Sequence, residues 1–285
     1  MPTVRTVLRR GLRQLRGAES HRPRPVPGPG PLPTCPPGWS TGPPDYVGIG
    51  TKKAGTTWWH ELISAHPEVY RREPAVPGRM PRRAKELHFF EVEWDSSFSE
   101  DDAARYHAYF PRPPHRLVGE WTPRYVVDCW TPAQLSVAAP DAKLLVLVRD
   151  PLERFRSSIT HYLHRHGSLE HPRALVEEVQ YGCYAAGLDR FTRHFSAEQI
   201  LVLQYERCVR RPEAELAATY AFLGLDQGFV PDHLRTRVAA AEMEKVRLPP
   251  GLRSDLVAEY EPDVRRLAAQ WPVDLSLWPD FAHLA

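Results

Sequence analysis

Apolar and polar residues along this chain fall into blocks rather than strict alternation. Tyr46 to Gly50, Leu144 to Val148 and Ile200 to Gln204 are short apolar runs, each ended by polar or turn-forming residues. Runs of that length without a polar face predict strands covered on both sides, as in a parallel sheet. A further strand is expected at Arg116 to Gly119. Apolar spacing near 3.6 predicts helices over Thr57 to Ala65, Leu152 to His164, Leu175 to Phe195, Pro212 to Leu223 and Leu252 to Trp271. Strand and helix in turn imply an α/β, three-layer, P-loop-like fold, with a mainly parallel central sheet flanked by helices.

Residues 1–44 break the pattern. Arg5, Arg9, Arg10, Arg13 and Arg16 interrupt the apolar positions of the first sixteen residues, which hold no run long enough for a signal peptide or a membrane span. Pro23 to Pro44 is so rich in proline and glycine that it is expected to stay a linker. The expected organisation is therefore a basic arm and disordered linker over 1–44, then one domain over 45–285. The arm offers a basic surface suited to weak contact with anionic lipid. The chain's 285 residues, 42% hydrophobic, suffice for one large α/β core. Lysine and arginine number 37 against 35 acids, a balance of +2 that gives no reason to expect a nucleic-acid partner. Cys35, Cys129, Cys183 and Cys208 show no C-x-x-C spacing, so neither a zinc site nor a disulfide framework is expected. A reducing, cytoplasmic setting is the simplest expectation.

The candidate chemistry begins where the first strand ends. Residues 46–57 run Tyr-Val-Gly-Ile-Gly-Thr-Lys-Lys-Ala-Gly-Thr-Thr. A strand, a glycine- and threonine-rich turn and a helix start together aim backbone N–H groups at an anion. Laying the Walker A pattern on Gly50 to Thr57 puts Thr56 where a nucleotide kinase needs its lysine; the charge comes earlier, at Lys53. Another anionic donor is thus indicated, and a magnesium-dependent P-loop kinase is the lesser alternative.

A second segment follows Leu144 to Val148: Arg149-Asp-Pro-Leu-Glu-Arg-Phe-Arg-Ser157. Asp150 is placed to cap the next helix, Pro151 to open it and Glu153 to complete a capping box. Arg149 then stands at the carboxyl end of the strand, the edge where open α/β sheets bind ligands, and Ser157 can add a hydrogen bond.

Lys53-Ala54-Gly55-Thr56-Thr57 resembles the 5′-phosphosulfate loop of sulfotransferases that use 3′-phosphoadenosine 5′-phosphosulfate (PAPS), and Arg149 to Ser157 resembles their 3′-phosphate segment. In particular the chain looks like bacterial relatives of the heparan-sulfate and other carbohydrate sulfotransferases. The resemblance implies a transferase that moves a sulfuryl group from PAPS to a hydroxyl of a carbohydrate, glycolipid or other small-molecule acceptor, with no metal. It implies a donor site of Lys53, Ala54, Gly55, Thr56, Thr57, Trp58, Arg149 and Ser157. Lys245 and Arg247, in a segment similar to the family's nucleotide-covering loop, complete it.

Lys85-Glu-Leu-His-Phe-Phe90 resembles the K-E-x-H-F-F stretch of the carbohydrate enzymes, which makes Glu86 the expected general base beside Lys53 and His88 at the reacting centre. If the stretch is extended, Glu86 and His88 share one face and Leu87 and Phe89 the other. Burial would raise the Glu86 pKa and a nearby cation such as Lys53 would lower it. The same cation would keep His88 a neutral imidazole. Gly119-Glu-Trp-Thr-Pro-Arg-Tyr125 is similar to the family's G-E-K-[ST]-P-x-Y turn, but Trp121 stands in place of the lysine. That departure counts against a polyanionic sugar; Trp121 fits an aromatic acceptor surface or core packing equally. It also keeps open a PAPS-fold binding protein of impaired turnover. Ile200 to Glu206 is similar to a family segment of structural character. Acceptor choice is expected from residues 70–84, 95–115 and 165–182.

Overall fold

The computed structural model describes residues 30–71, 85–91, 98–167, 172–236 and 244–285. A short strand β1 (Ser40–Thr41) pairs antiparallel with β3 (Pro111–Arg112) at the margin. The central sheet consists of β2 (Tyr46–Gly50), β4 (Gly119–Trp121), β5 (Lys143–Val148) and β6 (Ile200–Gln204), all parallel, in the order β4-β2-β5-β6. Both faces are covered, and period two divides the side chains. Val47, Ile49, Leu144, Val146 and Val148 enter one core; Tyr46, Leu145 and Leu147 enter the other.

The helices are α1 (Thr56–Ser64), α2 (Glu100–His107), α3 (Thr131–Ala138), α4 (Pro151–His166), α5 (Pro172–Gln180), α6 (Tyr184–Phe191), α7 (Tyr205–Arg210), α8 (Pro212–Leu223) and α9 (Pro250–Gln270). Trp58, Trp59, Leu62 and Ile63 of α1 and Leu216, Tyr220 and Leu223 of α8 fill one core. Residues of α3, α4, α6 and α9 fill the other. Three layers result, as the block pattern predicts. Among the described residues no helix is long and apolar enough to cross a membrane.

Four expectations differ. The strand at Arg116 to Gly119 lies later, because Leu117 bridges to Val69 and the Val118 N–H goes to Asp45 Oδ2 at 2.7 Å, so pairing with β2 begins at Gly119. The single helix over Leu175 to Phe195 is two. It breaks at Tyr181 to Cys183, where the Tyr181 carbonyl accepts from Thr51 Oγ1 at 3.0 Å and a Cβ on Gly182 would meet Tyr260 at 2.6 Å. Asp150 caps α4, accepting from the N–H groups of Leu152 and Glu153 at 2.9 and 3.2 Å, but Glu153 closes no capping box; it turns to Arg156 and Lys245 instead. Finally, residues 30–44 are not a free linker. Tyr109 donates to the Gly30 carbonyl at 2.9 Å, Trp39 packs edge-on against Tyr70 at 5.1 Å, and β1 joins β3. The readings of residues 1–29, 72–84, 92–97 and 168–171 lie outside the described residues.

Candidate active site

The carboxyl ends of β2, β5 and β6 lead into Thr51, Arg149 and Tyr205, and the candidate residues gather there. After β2 the chain turns through residues 51–55. Lys53 takes the left-handed conformation at φ 68° and Gly55 caps α1 at φ 94°. A side chain is strained at both, and glycine alone removes the strain; a Cβ on Gly55 would also lie 3.0 Å from the Tyr205 ring. The first N–H groups of α1 have no partner within the helix, which makes its start the anion cradle. Lys53, Gly55, Thr56 and Thr57 border this cradle. Ala54 and Trp58 do so only through backbone. Ala54 is fully buried with its N–H on the Thr51 carbonyl at 3.3 Å, and the Trp58 indole is a core group donating to the Leu234 carbonyl at 3.0 Å. Their side chains pack in the core.

The other loop lysine, Lys52, is bound outward: its ammonium pairs with Glu178, which also holds the buried Arg154 at 3.1 Å. With the Thr51 contact this ties the loop to α5.

Arg149 lies against the same loop. Its guanidinium donates to the Lys53 carbonyl at 3.2 Å and sits 4.8 Å from the centre of the Tyr205 ring. Ser157 is half-buried along α4. The segment carrying Lys245 and Arg247 docks on α4 where the Val246 N–H meets Thr160 Oγ1 at 3.0 Å. Lys245, Arg247 and Arg156 line an open polar cleft. Glu153 stands among the cations, 2.8 Å from Arg156, 3.3 Å from Lys245 and 3.9 Å from Arg149. Arg156 and Glu153 are members of this side that sequence reasoning missed; both lie in the same motif, one or two helical turns from Arg149.

The stretch 85–91 forms the facing wall. Leu87 and Phe89 are buried while Glu86 and His88 share the open side, with Glu86 Oε2 3.3 Å from His88 Nε2. A buried carboxylate beneath fixes the stretch. Glu120 of β4 accepts from the Leu87 N–H at 3.1 Å, Thr122 Oγ1 at 2.6 Å, and the hydroxyls of Tyr106 and Tyr125 at 2.8 and 3.0 Å. Lys85 is buried and donates to Glu86 Oε1 at 2.9 Å, Thr56 Oγ1 at 3.0 Å and Thr57 Oγ1 at 3.3 Å. His88 Nδ1 reaches Glu91 Oε1 at 2.6 Å. Lys85, Glu91 and Glu120 were not foreseen as site residues, although Lys85 and Glu120 lie within the motifs named above and Glu91 directly follows one of them.

Electrostatics follow from these contacts. Burial of Glu86 works to raise its pKa, but the hydrogen bond from His88 and the charge and hydrogen bond of Lys85 outweigh it and bring it to about 2. For His88, burial works downward, while hydrogen bonds and charges of Glu86 and Glu91 raise its pKa to about 10. The expected neutral imidazole is therefore corrected to an imidazolium, because two carboxylates grip it. Glu91 in turn faces Arg124 at 3.7 Å, and Arg124 Nε lies 3.3 Å from Asp128. Among these acids burial pushes Asp128 up to about 7, against the pull of Arg124.

Trp121 is a core residue, not an acceptor surface. It is fully buried, donates from its indole to the Gly50 carbonyl at 3.0 Å, and lies where a Cβ on Gly48 would be 2.0 Å away.

A family model described as "Sulfotransferase domain" matches residues 43–253. The human heparan sulfate glucosamine 3-O-sulfotransferase 3B1 is 31% identical over 204 residues, covering 67% of this chain and 48% of the relative. The mouse heparan sulfate glucosamine 3-O-sulfotransferase 6 is 29% identical over 203 residues, covering 67% of this chain and 55% of the relative. The chain spans about half the length of the curated relatives it matches. Among solved structures, a sulfotransferase from Alicyclobacillus acidocaldarius superposes with a TM-score of 0.66 at 28% identity, over 83% of this chain and 98% of that one.

Proposed function

Because this chain belongs to the sulfotransferase domain family, we propose that it moves a sulfuryl group from PAPS to a hydroxyl of a carbohydrate, glycolipid or other small-molecule acceptor and releases adenosine 3′,5′-bisphosphate. The observation that carries this reading is the join between donor cradle and base: the carboxylate of Glu86 is held 2.9 Å from an ammonium that also binds Thr56 and Thr57 of the loop. A carboxylate is thereby presented beside an anion site, as transfer to a hydroxyl requires.

The acceptor oxygen attacks sulfur and the S–O bond to the 5′-phosphate breaks, its electrons passing to the bridging phosphate oxygen. Lys53 and the N–H groups at the start of α1 stabilise that oxygen, and Glu86 takes the hydroxyl proton. Lysine and backbone dipoles serve the leaving nucleotide, so the step needs no metal. His88 acts as a fixed cation that orients Glu86. Arg149, Ser157, Lys245 and Arg247 receive the 3′-phosphate, where Glu153 now neutralises the cations. A depressed Glu86 pKa keeps the carboxylate ionised at neutral pH and so able to accept a proton.

The test is transfer from PAPS labelled in the sulfuryl group to components of a cell extract, with mass identification of the labelled product. A labelled sulfate ester is expected. Tight binding of the bisphosphate with no labelled product would favour the impaired binding protein instead. Trp121, now a core residue, lends that alternative no support.

A further inference from the structure

We propose that Lys85 is a positioning residue for sulfuryl transfer, whose one ammonium fixes both the loop hydroxyls that meet the donor and the carboxylate that takes the acceptor's proton. The inference rests on the donor and acceptor reading above and adds a residue to it.

Lys85 is 2% exposed. An ammonium in such a place is costly unless paired with a charge and fully hydrogen-bonded. Its neighbours meet that demand: Glu86 Oε1 at 2.9 Å supplies the charge, with Thr56 Oγ1 at 3.0 Å and Thr57 Oγ1 at 3.3 Å beside it. An ammonium donates and never accepts. Both threonine oxygens must therefore act as acceptors toward Lys85, which leaves the proton of each hydroxyl to point away from it. Thr56 and Thr57 open α1, where the helix start aims its N–H groups at an anion. The hydroxyl protons are thus oriented for donation to the phosphosulfate.

The other side of the same ammonium holds the base. Glu86 Oε1 is on Lys85 and Oε2 on His88 at 3.3 Å, with Glu91 2.6 Å behind His88. A continuous chain runs from Thr56 and Thr57 through Lys85, Glu86 and His88 to Glu91. The charged and titratable groups around Glu86 are Lys85 and His88 on its own segment, Glu91 behind His88, and Glu120 with Tyr106 and Tyr125 below Leu87; from α1 come Thr56 and Thr57. The cations outweigh burial and hold Glu86 at about 2. Lys52 does not duplicate this contact, because its ammonium is bound to Glu178.

The test compares Lys85→Met, which keeps length and removes charge, with Lys85→Arg, Glu86→Gln and the Lys85→Met/Glu86→Gln pair. One readout is calorimetric affinity for adenosine 3′,5′-bisphosphate. The other is release of that bisphosphate from PAPS with water as acceptor, in which water attacks sulfur and gives a proton to Glu86, the S–O bond to the 5′-phosphate breaks with its electrons passing to the phosphate oxygen, and sulfate and the bisphosphate are the products. Lys85→Met should weaken the bisphosphate about tenfold through the undirected hydroxyls. It should also move the acid limb of the turnover profile up by about one pH unit or more, because Glu86 keeps its burial and loses a cation. Lys85→Arg should hold that limb near the wild-type position. In the Glu86→Gln background Lys85→Met should cost turnover little more, while the affinity loss persists. An unmoved acid limb with a loss additive to that of Glu86→Gln overturns the proposal. If Lys85→Met does not fold, Lys85→Gln carries the same comparison. Wild-type protein that neither binds the bisphosphate nor releases it from PAPS overturns the sulfotransferase reading itself, and this inference with it.

Discussion

His88 is bound to Glu91 across 2.6 Å, from Nδ1 to Oε1, and the side chain of Glu91 is only 3% exposed. A carboxylate this buried and this close stabilises the charged ring far more than a solvated one would. Glu86 stands at the opposite nitrogen, so the two acids hold the imidazolium in the plane between them.

This pair of contacts makes stability depend on pH in a defined way. The raised His88 pKa contributes stability that is complete below its ordinary value of 6.5 and is lost as pH rises through about 10. The depressed Glu86 pKa contributes stability present above 4.5 and lost as pH falls through about 2. The melting-temperature difference between wild type and His88→Asn should therefore be widest between those ordinary values, pH 4.5 to 6.5. It should narrow toward pH 10. NMR of the ring nitrogens should show His88 still protonated at about pH 8; a titration at the ordinary histidine value would contradict it.

Arg149 joins the two halves of the proposed donor site, since it donates to the Lys53 carbonyl and stands at the head of α4. Arg149→Ala should weaken adenosine 3′,5′-bisphosphate by about 2 to 4 kcal/mol, the range for an unpaired charge contact, and AMP much less. Arg149→Lys should recover little, because the fork that reaches carbonyl and phosphate together is lost. Calorimetry with chelator present measures both ligands. Equal losses for the two would remove the 3′-phosphate from this arginine.

Lys52 and Lys53 are adjacent but differ in task. Lys53→Ala should lower turnover about a hundredfold with melting temperature nearly unchanged, as for removal of one electrostatic stabiliser. Lys52→Ala strips the charge partner from Glu178 and loosens the loop from α5, so its signature should be a lower melting temperature. The reverse pattern would shift the register of the proposed phosphate contact by one residue.

Trp121→Lys restores the lysine of the resembling motif but places an ammonium in a dry core. It should destabilise by about 3 to 5 kcal/mol, the cost of emptying a large aromatic site, with further loss from the unpaired charge. Gly48→Ala tests the same contact from below, because its Cβ would collide with the indole. Chemical denaturation of both measures the loss, and a Trp121→Lys protein as stable as wild type would mean that this side chain can turn out of the core.

Short-range information sufficed for much of the fold and for the loop itself. The runs Tyr46 to Gly50 and Ile200 to Gln204 became strands with the same ends, and the helix Pro212 to Leu223 kept its bounds. These segments are decided by neighbours a few residues away, through apolar periodicity, proline at a helix start and glycine at its end. Helix α2 was illegible because only Ala103 and Tyr106 of it are buried, so it carries too few apolar positions to reveal a period. Helices α5 and α6 read as one because the break depends on Thr51, 130 residues away, taking the Tyr181 carbonyl.

The sequence alone determined which residue types reach the candidate site: the glycine and threonine turn after β2, the arginine after β5, the glutamate and histidine two apart. Tertiary structure decided their states. Lys85 became the link between loop and base only because residues 85–91 fold onto α1, and His88 became a cation because Glu86 closes on one ring nitrogen while a buried Glu91 lies 2.6 Å from the other. Trp121 went to the core because β4 presents it to Gly48 on the neighbouring strand. Burial and charge pairing depend on distances between segments far apart in the chain, and a one-dimensional pattern records residue identity and period but not those distances.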